Sequence, residues 1–331
     1  MKLRVILVAG LGLGLAVYLI GYIGFGAVIS AALAIGWGGF AILCAYALLL
    51  FLILGAAWCV LVADAGSARL RTFVWSRMVR DSAGEVLPFS QVGGFVIGAR
   101  AAILRGVNSR VAFASTIVDV TTEMLAQLAY VGLGIALLAE RAPRTPFTAS
   151  LTGILTAGLV IAAVAGGVFL FLQRRGLGAI GKLVARWLPQ TLSHATALAA
   201  ALDAIYRSPL RVGLSFLIHF AGWIASAIGT WIALRLIGAH VDLAAVVAIE
   251  SLVYGIRTAA FVVPGALGVQ EAAYALLAPL MGVGPELGLA VSLLKRARDI
   301  AIGIPTLLVW QAMEGQRALA PERFEEEFLQ S

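Results

Sequence analysis

Long apolar runs separated by short charged links set the architecture of this chain. No charged residue stands between Arg4 and Asp64, which leaves room for two membrane spans of about 20 residues each. Further uncharged runs cover residues 150–173 and 212–234. A third span is expected over residues 111–139 and a last one over 287–311. Residues 64–85 carry Arg69, Arg71, Arg77 and Arg80, too many charges to cross a bilayer, yet the segment is too apolar for a simple loop. Residues 70–79 therefore read as an amphipathic helix at the membrane interface. The stretch 243–263 is apolar but holds Glu250 and Arg257. The pattern predicts an all-α, polytopic integral membrane protein with about 6–8 transmembrane helices.

Superimposed on these runs is a repeat with a constant offset of 176 residues. Val86 and Pro88 in VLPFSQVGG match Val262 and Pro264 in VVPGALGVQ, Gly106-Val107 matches Gly282-Val283, and Asp119 and Glu123 match Lys295 and Asp299. Breaks and charges are expensive in a membrane, so their recurrence in two halves points to a pathway at the repeat interface. The broken segments are Pro88, Gly93 and Gly94 in one half and Pro264, Gly265 and Gly268 in the other. A full crossing at 243–263 makes the halves parallel, whereas a re-entrant hairpin over 243–282 makes them inverted. Inversion is preferred, because the matching stretch 67–86 is too charged to cross. The whole chain, 1–331, then forms a single membrane domain. Half one covers about 1–172, a basic link 173–211, half two 212–313, and an acidic tail 314–331.

Composition agrees with this class: 61% hydrophobic, 12% charged, with a mean hydropathy of +0.99, far from soluble norms. The net charge of +7 falls in links that the positive-inside rule places in the cytoplasm, so no nucleic-acid partner is expected. Lys2 and Arg4 put the N-terminus inside, and the inverted arrangement puts the C-terminus there too. The N-terminal apolar run exceeds a signal-peptide core, which favours a retained helix over a cleaved leader. Cys44 and Cys59 share one apolar run and read as small hydrophobes rather than a disulfide or metal site. The glycines at 10, 12 and 14 lack a phosphate-loop context and read as close-packing positions.

Candidate chemistry sits at the charges within apolar stretches. Asp119 and Glu123 lie four residues apart on one helical face, and Arg296 and Asp299 three apart in the second half. Such groups either form salt bridges between helices or line a polar cavity; both demand an interior position, and the cavity is the preferred reading. Arginine suits phosphate through its planar fork, so Arg80, Arg257, Arg296 and Arg298 are candidates for binding a lipid headgroup. Asp119, Glu123, Glu250, Glu271 and Asp299 are candidates for ion coupling or for binding an amine. Together with half-helix ends at the breaks, such groups suit a zwitterion. His194, His219 and His240 are scattered, no metal motif or catalytic signature occurs, and no cofactor is expected; His219 reads as a packed interior residue.

The stretches VRDSAGEVLPFSQVGGFVIGARAAILRGV with VDVTTEMLAQ, and AAFVVPGALGVQEAAYALLAPLMGV with SLLKRARDIAIGIP, resemble the membrane domain of lysylphosphatidylglycerol synthases/flippases, and within it the branch associated with hopanoid biosynthesis. The resemblance implies a multi-pass protein of the bacterial inner membrane. Its partners would be phospholipid or hopanoid and possibly lipid-biosynthesis enzymes, and it would move lipid between leaflets. A membrane-embedded headgroup enzyme and a non-catalytic subunit or scaffold remain the alternatives. Larger members carry an additional aminoacyl-transfer domain; nothing after Trp310 could encode one, so no enzymatic activity is expected of this chain. The family pattern places Glu after the paired glycines, where this chain has Phe95, the 176-offset mate of Glu271. The second half is therefore expected to do most of the headgroup binding.

Overall fold

The computed structural model of the protein describes residues 26, 29–30, 33–62, 67–86, 90–185, 192–261 and 263–318. Most of the expected first span, Pro88 and residues 319–331 of the acidic tail lie outside the described residues. Among the described residues every regular element is helical. These are α1 (Gly36–Cys59), α2 (Ser67–Val86), α3 (Ser90–Leu104), α4 (Ser109–Arg141), α5 (Pro146–Ala185), α6 (Leu192–Tyr206), α7 (Pro209–Leu236), α8 (Leu243–Ala259), α9 (Val269–Leu280) and α10 (Pro285–Ala318). A short 3₁₀ turn, Pro264–Ala266, separates α8 from α9. Among the described residues four helices are long and apolar enough to cross a membrane: Gly36–Cys59, Ser109–Arg141, Pro146–Gln173 and Pro209–Leu236. The 34-residue α10 is long enough as well, but Lys295, Arg296, Arg298 and Asp299 interrupt it.

Helix boundaries follow the sequence repeat. The starts of α2, α4 and their counterparts α8 and α10, Ser67, Ser109, Leu243 and Pro285, are 176 positions apart in pairs, as are the ends of α3 and α9, Leu104 and Leu280. The matched glycines make the matched turns. Gly106 leads from α3 to α4 with φ +85°, and Gly282 leads from α9 to α10 with φ +77°, a region glycine enters without a Cβ penalty. Packing obeys the same exchange: α4 lies against α8 as α10 lies against α2, and α1 packs on α7.

Residues 70–79 do not form an interface helix. They belong to α2, whose Phe73 and Val79 are fully buried and whose Arg77 and Arg80 are only 3% exposed. The arginines can leave the headgroup region because carboxylates of α4 neutralise them. Helices α2 and α3 form a tight hairpin: a Cβ on Gly94 would lie 2.6 Å from the Arg80 carbonyl oxygen, while one on Gly93 would meet nothing within 4 Å. Of the two candidate glycines, only Gly94 is needed for this approach. Helices α8 and α9 form the matching hairpin.

The main apolar core joins α4, α8, α9 and α10 through Ile135, Leu138, Val246, Ile249, Leu277 and Val291. By contrast, α5 exposes Ile154, Ile161 and Val164, an apolar surface suited to lipid, where every backbone group is satisfied within the helix. Helix α6, from the basic link, packs on α4 and α5 and buries Leu202. Ion pairs fasten the helix ends. Arg141, the last residue of α4, pairs with Asp242, just ahead of α8. Arg100 of α3 pairs with Glu314 of α10 at 2.8 Å, and Arg317 donates to the Leu104 carbonyl at 2.7 Å.

Candidate functional site: buried ion pairs at the two hairpins

In the first half, α2 supplies the cations and α4 the anions. Arg77, Arg80 and Asp81 lie three and four residues apart, hence on one face of α2. Arg80 Nη1 donates to Asp119 Oδ2 at 2.6 Å and Nη2 to Glu123. Arg77 reaches Glu123 Oε2 at 3.1 Å through Nη1 and Asp81 Oδ2 at 2.7 Å through Nε. From α7, His219 Nε2 lies 2.9 Å from Asp119 Oδ1. Asp119 and His219 are completely buried. Phe95 of α3 stacks its ring 5.1 Å from the Arg80 guanidinium, with Trp58 at 5.9 Å on α1. The residue that breaks the repeat's acidic pattern thus holds an arginine by a cation–π contact.

In the second half the charges are exchanged: α10 supplies cations, and the hairpin arms supply carboxylates. Lys295 Nζ lies 2.5 Å from Glu250 Oε2 of α8 and 3.0 Å from the Tyr274 hydroxyl of α9, which in turn bonds Glu250. Arg296 Nε donates to Glu271 Oε1 at 2.6 Å, and its two Nη atoms donate to the carbonyls of Gly265 and Ala266 at 3.0 and 3.2 Å. Glu271 Oε2 also accepts from the Gly268 N–H at 2.9 Å, and Ser292 donates to its other oxygen at 3.0 Å. The positive end of α9, which a substrate anion would suit, is occupied by the chain's own carboxylate. Gly265 and Gly268 adopt φ +57° and +76°, so the break at Pro264–Ala266 turns the backbone and presents its carbonyls to Arg296.

The hairpins meet each other. Arg257, at the end of α8, donates to Glu85 Oε1, at the end of α2, at 2.6 Å. A Cβ on Gly265 would stand 3.4 Å from the Glu85 carbonyl oxygen. Arg298 pairs with its neighbour Asp299 at 2.7 Å.

The structure therefore brings together Arg80 with Asp119 and Glu123, and Arg296 with Glu271; it gives Glu250 to Lys295 and Arg257 to Glu85. The polar cavity preferred from the sequence gives way, in the described conformation, to salt bridges, because each of these charges has a partner on a neighbouring helix. Arg77, Asp81, Glu85, Tyr274 and Ser292 join the site without being sequence candidates for it, and His219, which reads in sequence as a packed interior residue, is buried but bonded to Asp119. The Arg77–Asp81 spacing is a readable signal; Tyr274, Ser292 and His219 sit in largely apolar sequence and Glu85 in a charged segment, and the partners of all four lie far along the chain. The charges are as dense in the first half as in the second, so Phe95 does not empty the first-half site.

These features define a helical membrane protein whose two halves each press a short hairpin against a long helix through buried ion pairs. Residues 5–305 match the family described as Lysylphosphatidylglycerol synthase TM region. The chain belongs to that family and is a membrane protein of a lipid-related group. No curated protein and no solved structure matches it.

Proposed function

We propose that the protein is a lipid transporter of the flippase type in a bacterial inner membrane, serving phospholipid or hopanoid lipids, with two inverted repeats around a headgroup path. The contact of the hairpin tips, Arg257 with Glu85, carries this reading. The end contacts support inversion. The first hairpin opens beside the start of α4, where Arg100 and Leu104 hold α10; the second opens at the far end, where Arg141 meets Asp242. Two hairpins entering from opposite faces and touching at their tips form a closed septum at mid-membrane. The basic link and the positive-inside rule place the first hairpin on the cytoplasmic side, with both termini there.

The exchanged charges supply a mechanism. Parting the first hairpin from α4 bares Arg77 and Arg80, which suit a phosphate; parting the second from α10 bares Glu250 and Glu271, which suit an amine. An unpaired charge at mid-membrane costs about 2.5–3.5 kcal/mol on insertion scales, so opening is unfavourable unless a headgroup replaces the lost partners. A lipid carrying both charges offsets that cost, and its chains stay in the bilayer while one repeat rocks against the other. Reconstituted Arg257→Ala and Glu271→Ala variants should lose lipid translocation while remaining folded. Undiminished translocation by both would defeat the mechanism, and a covalently altered lipid would favour an enzyme instead.

A further inference from the structure

The ion pairs of the second half balance one to one: Lys295 with Glu250, Arg296 with Glu271, Arg298 with Asp299. So does the tip contact, Arg257 with Glu85. The first-half group does not. Two guanidiniums, Arg77 and Arg80, face three carboxylates, Asp81, Asp119 and Glu123, and the ordinary ionisation of these groups leaves one negative charge uncompensated. The side chains of the two arginines are 3% exposed, Asp119 is fully buried, Glu123 is 15% exposed and Asp81, at the rim, 26%. An uncompensated charge in such surroundings is strongly unfavourable. Among the described residues, the further group bonded to the cluster is His219, whose Nε2 meets Asp119. Its Nδ1 is buried and without a hydrogen-bond partner, so the contact with Asp119 is the ring's one polar contact among the described residues.

We propose that this cluster is a binding site for one proton, carried by the His219 imidazole against Asp119, and that this proton is the coupling ion of the transport cycle. The second part rests on the lipid-transport reading; the first does not. With the proton bound, the group holds three positive and three negative charges and can close. When the first hairpin leaves α4, Arg77 and Arg80 turn to the headgroup, the carboxylates and His219 lose their counter-charges, and the proton exchanges with water on the open side. A metal cation is a poorer occupant, because guanidiniums and imidazole already engage the carboxylate oxygens.

Among the described residues, no other element packed on α7 is bonded to the cluster so as to supply the missing charge. Helix α1 carries none between Gly36 and Cys59. Helix α6 brings Asp203, which adds negative charge, and Tyr206, which bonds Gln173. Helix α8 brings Glu250, tied to Lys295; Arg257, tied to Glu85; and Tyr254, whose hydroxyl lies 3.2 Å from that of Ser226. Helix α10 brings Lys295, Arg296 and Arg298, each engaged by its own carboxylate. On α7 itself, Arg211 and Arg235 stand towards the two ends of the helix, Arg235 bonded to His240 at 2.7 Å, and Ser215 one turn from His219 shares a hydrogen bond with Thr122 at 3.0 Å.

The test uses the full chain in lipid nanodiscs with ¹⁵N-labelled histidine, with His194→Gln and His240→Gln leaving only His219. An imidazolium signature at neutral pH is expected. Asp81→Asn removes one negative charge while touching neither His219 nor Asp119, and should convert the ring to neutral imidazole; Asp119→Asn is the second variant should the first not fold. A neutral ring in the parent protein, or an imidazolium unaffected by either variant, overturns the proton site. Coupling is then read in proteoliposomes, where one pH unit across the membrane should drive about a tenfold lipid asymmetry at one proton per lipid. His219→Gln should abolish that asymmetry. Translocation indifferent to the gradient in the parent overturns the coupling. A parent that moves no lipid defeats the transport reading, while the spectroscopic result still decides the proton site.

Discussion

Gly93 and Gly94 are adjacent, both helical, and differ only in what lies beside them, so alanine at each isolates the hairpin contact. At Gly94 the added methyl would stand 2.6 Å from the Arg80 carbonyl oxygen and 3.2 Å from the Gly84 nitrogen. The first distance is about 0.8 Å short of ordinary contact, and backbone cannot rotate away as a side chain can. Either α2 and α3 separate or the arm bends, at a cost of about 1–3 kcal/mol for overpacking of this kind. Alanine's greater helix propensity recovers at most about 1 kcal/mol. Gly93→Ala receives that propensity gain with no clash. The two variants should therefore shift stability in opposite directions, read as thermal unfolding of the detergent-solubilised protein. Because the displaced segment carries Arg80, the proposed transport function further predicts that Gly94→Ala slows lipid translocation in vesicles and Gly93→Ala does not. Equal stability of the two variants would refute the close packing of α2 on α3.

Two further outcomes follow from the ion pairs. Lys295→Met leaves the fully buried Glu250 with only Tyr274, and should destabilise by about 3–5 kcal/mol, measured by thermal unfolding; a variant as stable as the parent would show that Glu250 is neutral or hydrated. With Cys44 and Cys59 replaced, single cysteines at Asp242 and at Glu314 should react with membrane-impermeant reagents from opposite faces of the membrane, and labelling of both from one face would rule out inverted hairpins.

Much of the fold was readable because the repeat is written in local signals. The offset anticipated Gly106 and Gly282 as equivalent positions, and both prove to be turns with positive φ; the apolar runs anticipated α1, α4, α5 and α7. Residues 70–79 read as an interface helix yet bury Phe73, Arg77 and Val79, for a physical reason. A run of arginines reads the same whether it faces water or a distant carboxylate, and Arg80 finds Asp119 across 39 positions. Glu271 and Arg296 were recognised separately, but nothing local reveals that they bind each other rather than a ligand. His219 lay in an uncharged run, and its partner Asp119 stands 100 residues away. Phe95 was read as a lost carboxylate, whereas in three dimensions its ring faces Arg80, a role that apolar sequence does not announce.

Stability alone does not account for so many charges in the interior. Replacing a buried ion pair by apolar side chains of similar volume is often neutral or stabilising by about 1–4 kcal/mol, so an apolar interface between hairpin and long helix would hold at least as well. What an apolar interface lacks is a partner that can be exchanged. On the transport reading proposed above, each cation or carboxylate released by a parting hairpin is met by a counter-charge, and a charged headgroup is one that the membrane itself supplies. The double variant Glu250→Gln/Lys295→Met separates the two roles. It removes both charges of the pair at once, and should unfold at a temperature near that of the parent, unlike Lys295→Met alone, yet move lipid poorly. A double variant that transports as well as the parent would mean that this pair serves packing, and that headgroup recognition rests on Glu271 and the first hairpin.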